Sequence, residues 1–262
     1  MTDYQNIRTH RDGDVLVITL NRPERLNAAP PAMFDEIRTA IGALDGARAV
    51  LVTGEGRAFC SGADIASSAL APGGDPGEVT YQALTTGYNP AMQALAELDA
   101  PIVAAVRGPA AGIGCSLALA ADFVVCSETA YFLQAFVNIG LVPDGGASWS
   151  LSRLIGRARA AEMMMLGERI PAAKALDWGM VHKVVADDAL DAEALALARR
   201  LAAGPTRALG AMRRNLNAAL DGSYPDAMQR EADAQRAMRR TEDSAEGGAA
   251  FLQKRKPAFK GR

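Results

Sequence analysis

Apolar and polar positions alternate between two regimes along the chain. In the first, short β-branched runs are closed by turn residues. DVLVITL at 14–20, RAVLVTG at 48–54, PIVAAV at 101–106 and DFVVCS at 122–127 each predict a buried strand. Between the first two, MFDEIRTAIGAL at 33–44 spaces its apolar residues as an amphipathic helix. Between the last two, GPAAGIGCSLALAA predicts a glycine-rich loop running into a helix. Strands alternating with helices imply an α/β body with parallel stacking.

From about residue 187 the pattern is helical throughout. DDALDAEALALARRLAAGP has acids in its first turn, arginines in its last, and a Gly204–Pro205 stop. TRALGAMRRNLNAAL and YPDAMQREADAQRAMRR follow as further amphipathic helices. The chain is therefore divided into an α/β core over 1–190 and a helical region over 191–262. One stretch fits neither regime: ASSALAPGGDPGEVTYQALTTGYN, 66–89, opens rich in Gly, Pro and Ser and reads as a mobile loop close to a ligand.

Composition narrows the possible functions. The 262 residues are 49% hydrophobic and carry 28 basic against 30 acidic side chains, a net charge of −2. That near-balance gives no general attraction for nucleic acid. No apolar run approaches the ~20 residues that span a bilayer, and the opening MTDYQNIRTHRDGD lacks a secretory apolar segment. Three cysteines, an odd number, argue against a disulfide framework. A cytoplasmic location is expected.

Three segments could carry chemistry, and each also has a plain structural reading. GRAFCSGADI, 56–65, turns after a strand through small residues that leave backbone N–H groups accessible to an incoming oxygen; it equally suits an ordinary strand-to-loop connection. RGPAAGIGCSLALAAD, 107–122, has glycines at 108, 112 and 114 that allow a tight turn and close backbone approach, or simply close packing. In NIGLVPDGGASWSL, 138–151, one carboxylate, Asp144, stands between Pro143 and two glycines in an apolar setting. It could be a buried functional acid or a helix N-cap. His10 and His182 fit neither metal nor triad spacing, so no metal is expected, and Cys60 has no histidine near it in sequence.

Taken together and in order, these segments resemble the enoyl-CoA hydratase/isomerase (crotonase) family. The carrying residues are LNRPERLNA at 20–28, GRAFCSGADI at 56–65, PIVAAVRGPAAGIGCSLALAAD at 101–122, IGLVPDGGASWSLSRLIG at 139–156 and EGGAAFLQKRKPAFKG at 246–261. The resemblance implies a crotonase-like spiral of ββα units with a helical C-terminal trimerisation region, assembled as a homotrimer or a dimer of trimers. It implies an acyl-CoA thioester as substrate, with coenzyme A part of that substrate and no separate cofactor. The thioester oxygen would be held by the backbone N–H groups of Ala63 and Ile113. Arg25, Leu26, Ala63, Asp64 and Ile65 would lie along the coenzyme A, and Lys260 would reach one of its phosphates across a subunit boundary.

The departures from the family pattern are informative. Hydratases of the family use two glutamates to place and activate water, and their positions fall here on Ser116 and Phe136. Neither a hydroxyl nor a phenyl ring can do that proton transfer. Asp144 stands where isomerases of the family carry an acid. The resemblance therefore implies an isomerase of the ring-epoxide or Δ3-Δ2-enoyl-CoA type, acting on epoxyphenylacetyl-CoA or a 3-enoyl-CoA by proton transfer next to the thioester carbonyl. Phe136, Val142 and Trp149 are candidate walls around Asp144. The alternatives are a hydratase-type lyase, a hydrolase or dehalogenase (for which Gln93 occupies the place of an assisting histidine) and a non-catalytic acyl-CoA binder.

Overall fold

The computed structural model describes residues 4–65 and 74–262. It opens with a hairpin of β1 (Ile7–Asp12) and β2 (Val15–Leu20), paired antiparallel. The two-residue connection Gly13–Asp14 uses a glycine at φ +55°, as tight hairpin turns require. β1 reads IRTHRD and buries only Ile7, so it carries no apolar run and the sequence pattern begins at β2. α1 (Pro31–Gly42) then packs Met33, Phe34, Ile37 and Ile41 into the core.

The next 120 residues repeat one excursion three times. β3 (Ala49–Gly54) runs parallel to β2, and the chain then crosses to a second sheet, where Cys60 bridges Ala110. It returns through α2 (Pro76–Gln82), a π-helical turn (Ala83–Tyr88) and α3 (Asn89–Glu97). β4 (Ile102–Val106) joins the main sheet, β5 (Pro109–Ala111) the second one, and α4 (Ile113–Leu119) follows. β6 (Phe123–Ser127) and β7 (Tyr131–Leu133) do the same, followed by a 3-10 turn (Ala135–Ile139), α5 (Ala147–Leu154) and α6 (Gly156–Leu166). Then come β8 (Ile170–Pro171), α7 (Ala172–Asp177) and β9 (Lys183–Val185). The main sheet has the order β1-β2-β3-β4-β6-β9 and is parallel except for β1, and the small sheet is β5-β7-β8. This is a spiral of strand–strand–helix units.

The segment expected as a loop over 66–89 is helical from Pro76 onward, continuing to Glu97; residues 66–73 lie outside the described residues. Pro90 hides the helix from a sequence reading, because an interior proline has no N–H and crowds the carbonyl four residues back. The wider π turn immediately before it accommodates the ring, and the Asn89 N–H bonds to Leu84 O, five residues back.

Side chains alternate across the main sheet. Leu16, Ile18 and Leu20 face the larger core with α1, while Val15 and Val17 face a second cluster on the other side. α8 (Leu190–Ala202) covers that second face through Leu190, Ala194, Ala198 and Ala202. Its small-residue stripe, four apart, lets the helix lie close on the strands. Although it falls in the 191–262 region by sequence, α8 is part of the sheet's packing.

α9 (Thr206–Ala219), α10 (Tyr224–Met238) and α11 (Glu242–Leu252) complete the chain. Arg213 on α9 is buried against Asp122 at 2.6 Å and donates to Leu98 O at 2.8 Å. At Gly210 a Cβ would stand 2.5 Å from Asp99 O, so α9 crosses there on bare backbone. The tail folds back on α11, where the Asp243 carboxylate accepts from the N–H groups of Lys260 and Gly261. Arg48, just before β3, also bonds Phe259 O. Among the described residues no helix is long and apolar enough to cross a membrane.

Candidate active site

The site forms beyond the carboxyl ends of β3 and β4, the usual ligand position in open α/β sheets. After β3 the chain lies between two neighbours. On one side Phe59 and Cys60 donate to Arg107 O (2.7 Å) and Pro109 O (3.0 Å). On the other, Ala29 donates to Gly62 O (2.8 Å), and Ala29 O accepts from Asp64 N–H (3.0 Å). In that register Gly62 and Asp64 face Ala29, so the Ala63 N–H points away from it. It meets no acceptor among the described residues.

The second donor comes from the next coil. Gly112, at φ +52° and ψ −126°, donates its own N–H to Leu133 O at 2.8 Å and then starts α4. An L-residue would be strained there. Ile113 follows as the first residue of the helix, where an N–H has no intrahelical partner, and it finds no other acceptor among the described residues. The two turns touch: a Cβ on Gly112 would lie 3.8 Å from the Gly62 Cα, and 3.5 Å from the Phe136 ring. The two turns that carry these amides thus adjoin, with the Phe136 ring against Gly112.

Asp144 reaches the same place. A Cβ on Gly145 would stand 2.5 Å from Ile113 Cδ1 and 2.9 Å from Ser116 Cβ, so the 143–146 turn rests directly on α4. The Asp144 carbonyl accepts from Ser116 Oγ at 3.1 Å. The side chain does not cap α5; that position falls to Gly146, and no side chain caps the helix. Asp144 Oδ1 is buried without a hydrogen-bond partner. Burial pushes the carboxyl from 3.8 up to about 6, outweighing the lowering effect of a hydrogen bond from its own main chain. The N-cap reading is therefore set aside by the geometry.

Of the walls expected around Asp144, Phe136 lies against Gly112. Val142 is 80% exposed, and Trp149 turns toward the end of α9, where its indole N–H points at Asp221 (3.4 Å) beneath the Arg153 guanidinium. Tyr88, which sequence reasoning missed, is a buried member of the site. Its phenol donates to Ala29 O at 2.8 Å, bracing the strand that presents Ala63. Burial, and then the Asp144 charge, push that phenol above its ordinary range.

The 22–28 turn is built on polar contacts. Leu26 and Asn27 both take positive φ, and the fully buried Asn27 side chain donates to Glu55 O (3.0 Å) and Ala58 O (2.8 Å) while accepting from Arg22 N–H (2.8 Å). Asp64 is 5% exposed and pairs with Arg22 at 2.8 Å and Arg25 at 3.7 Å. Its carboxylate is turned inward to these arginines. Arg25 and Ile65 remain exposed beside it. Asn27 and Arg22 escaped notice because an αL asparagine and its arginine partner look like ordinary turn residues.

Lys260 is exposed, and its backbone is fixed by Asp243 on α11. Arg48 ties this tail to the amino end of β3, whereas Ala63 follows its carboxyl end. The six residues of β3 separate the two by roughly 17 Å. Among the described residues no contact joins Lys260 to the Ala63–Asp144 cluster of its own chain. Gln93 donates its amide to Glu97 at 2.9 Å on the exposed face of α3.

Two backbone N–H groups without an acceptor among the described residues, on adjoining turns and near a partly buried carboxylate, form an arrangement that could hold a developing oxyanion. Comparison with known proteins agrees. The chain matches the Enoyl-CoA hydratase/isomerase family over residues 10–262 and belongs to that family of enzymes. It is 39% identical over 259 residues to the 1,2-epoxyphenylacetyl-CoA isomerase of Escherichia coli, covering 98% of both chains. It is 41% identical over 260 residues, 99% of both, to a Rhodobacter capsulatus protein described as a probable enoyl-CoA hydratase. The crystal structure of an enoyl-CoA hydratase from Polaromonas sp. JS666 superposes with a TM-score of 0.92 at 36% identity, over 97% of this chain and 99% of that one. The fold is the crotonase fold.

Proposed function

We propose that the protein is an acyl-CoA isomerase. The thioester oxygen binds between the Ala63 and Ile113 N–H groups, Asp144 removes a proton from the carbon next to the carbonyl, and the same group returns it to another carbon. The observation that carries this reading is Asp144 itself: a partly buried carboxylate whose buried Oδ1 has no hydrogen-bond partner, on a turn that rests against the helix carrying the Ile113 amide. A carboxylate with an ordinary pKa near 3.9 is a feeble base, and a value of about 6 makes it a much better one. The two amides lower the acidity barrier from the substrate side, each contributing about 2.7–4 kcal/mol in comparable sites.

The similarity to an epoxyphenylacetyl-CoA isomerase supports a ring-epoxide or 3-enoyl-CoA substrate. Hydration is the second reading, favoured by the names of other relatives. Against it, Ser116 and Phe136 stand where hydratases of this family carry glutamates. The dehalogenase alternative is weakened because Gln93 supplies no base.

For the coenzyme A moiety, the Ala63–Ile65 backbone, Leu26 and Arg25 form the candidate edge. Arg22 and Arg25 against Asp64 leave one positive charge among the three, which suits a phosphate. Lys260 is assigned to a phosphate in a neighbouring subunit's site, because no contact joins it to the Ala63–Asp144 cluster of its own chain among the described residues. A homotrimer or dimer of trimers fits that assignment. Exposed Met212 and Leu216 on α9, Met228 on α10, and Phe251 and Leu252 on α11 supply an apolar face for it.

The test is a panel of epoxyphenylacetyl-CoA, 3-enoyl-CoA and 2-enoyl-CoA with the wild type and Asp144→Asn. The variant should keep acyl-CoA binding and lose at least ~100-fold in isomerisation and in solvent-deuterium exchange. Full turnover in Asp144→Asn excludes the mechanism, and hydration as the fastest reaction of the wild type favours the second reading.

A further inference from the structure

Because Asp144 Oδ1 has no partner, the direction of the carboxylate is inherited from the backbone of its turn. That backbone is held at one atom by two bonds. The Asp144 carbonyl accepts from Ala147 N–H at 3.1 Å and from Ser116 Oγ at 3.1 Å. The first bond is internal to the turn and moves with it. The second crosses to α4. Ser116, 4% exposed, lies three residues after Ile113, just under one helical turn, and so belongs to the same rigid element as the Ile113 N–H.

We infer that Ser116 is a positioning residue: by tying the Asp144 turn to α4, it fixes the base relative to the Ile113 amide that receives the substrate oxygen. The inference rests on the isomerase reading of this site. An alanine would fill nearly the same space, and Gly145 would still rest on it, but the cross-link would be gone. Proton transfer is sensitive to such a loss, since a misplacement of about 1 Å can lower a rate ~100-fold. Among the ionisable groups of the surrounding elements, burial pushes the Cys60 thiol up to about 11 and the Cys115 thiol up to about 12, and it raises the Tyr88 phenol as well. All three stay neutral near pH 6. Asp64 is engaged with Arg22 and Arg25.

The experiment compares wild type, Ser116→Ala and Ser116→Thr as full-length protein. Ser116→Ala should lower kcat by about tenfold or more with KM changed less than about twofold. In protein labelled with 13C at aspartate carboxyls, with the Asp144 signal identified by its loss in Asp144→Asn, the midpoint should fall by about half a pH unit as the untied turn admits water. Ser116→Thr keeps the hydroxyl and should recover most of both. A role limited to packing would lower the melting temperature and leave the kcat-to-KM split and the midpoint in place. Unchanged kcat and midpoint in Ser116→Ala, or a threonine variant no better than alanine, overturns the inference. If the wild type isomerises nothing in the panel, the functional reading fails by itself, and the carboxyl midpoint still decides the role of Ser116.

Discussion

Asp144 is ionised at neutral pH in surroundings that oppose the charge, and this affects both rate and stability. As the proposed base it must be deprotonated, so kcat/KM should fall about tenfold per pH unit below about 6. A pH–rate profile with a slow, well-bound 3-enoyl-CoA reads that limb directly; a limb near 4 would place the carboxylate in water. For stability the sign is opposite to that of a salt-bridged acid. Between 3.8 and about 6 the folded state binds a proton that the unfolded chain releases, so stability falls as pH rises through this window. Asp144→Asn removes the penalty. The variant should be more stable than wild type by up to about 3 kcal/mol at pH 8 and nearly equal to it at pH 3, measured by denaturant unfolding. A variant that gains stability while losing catalysis marks a group held for chemistry rather than for folding.

At the scale of single elements, what the sequence revealed followed the chemistry of each segment. β2, β3, β4 and β6 were legible because both their faces are buried and their apolar runs are continuous. β1 was not, since a solvent-exposed edge needs no such run. The helix from Pro76 to Glu97 was masked by its prolines, and with it went Tyr88, whose role depends on a tertiary contact with Ala29. The family motifs pointed to Ala63, Ile113 and Asp144, but whether their amides and carboxylate lack partners is a fact of register that no residue type encodes. The same limit applies to the 22–28 turn. Asn27→Ala would strand Glu55 O, Ala58 O and the Arg22 N–H, and should cost about 2–3 kcal/mol on the same unfolding assay, with acyl-CoA affinity falling as the neighbouring Ala63 strand loosens.

For the whole molecule, the spiral brings consecutive coils together at one end of the sheet and leaves the tail at the other. Phe251 and Leu252 are 83% and 82% exposed on a helix whose other face is anchored, and on the proposed homotrimer they are the residues assigned to the subunit contact. Light scattering should show the proposed trimer for the wild type and monomers for Phe251→Asp combined with Leu252→Asp. The double substitution should also raise KM for acyl-CoA if Lys260 serves a neighbour's site. An unaltered mass would place the interface elsewhere. The excursion from main sheet to small sheet and back has one further effect. Each proposed oxyanion donor is a main-chain N–H supplied by a separate coil, which no substitution other than proline removes. On the proposed mechanism, drift at positions such as Ser116, Phe136 and Asp144 would exchange one reaction for another while the capacity to stabilise an enolate persists, so the scaffold could diversify its chemistry without first becoming inert.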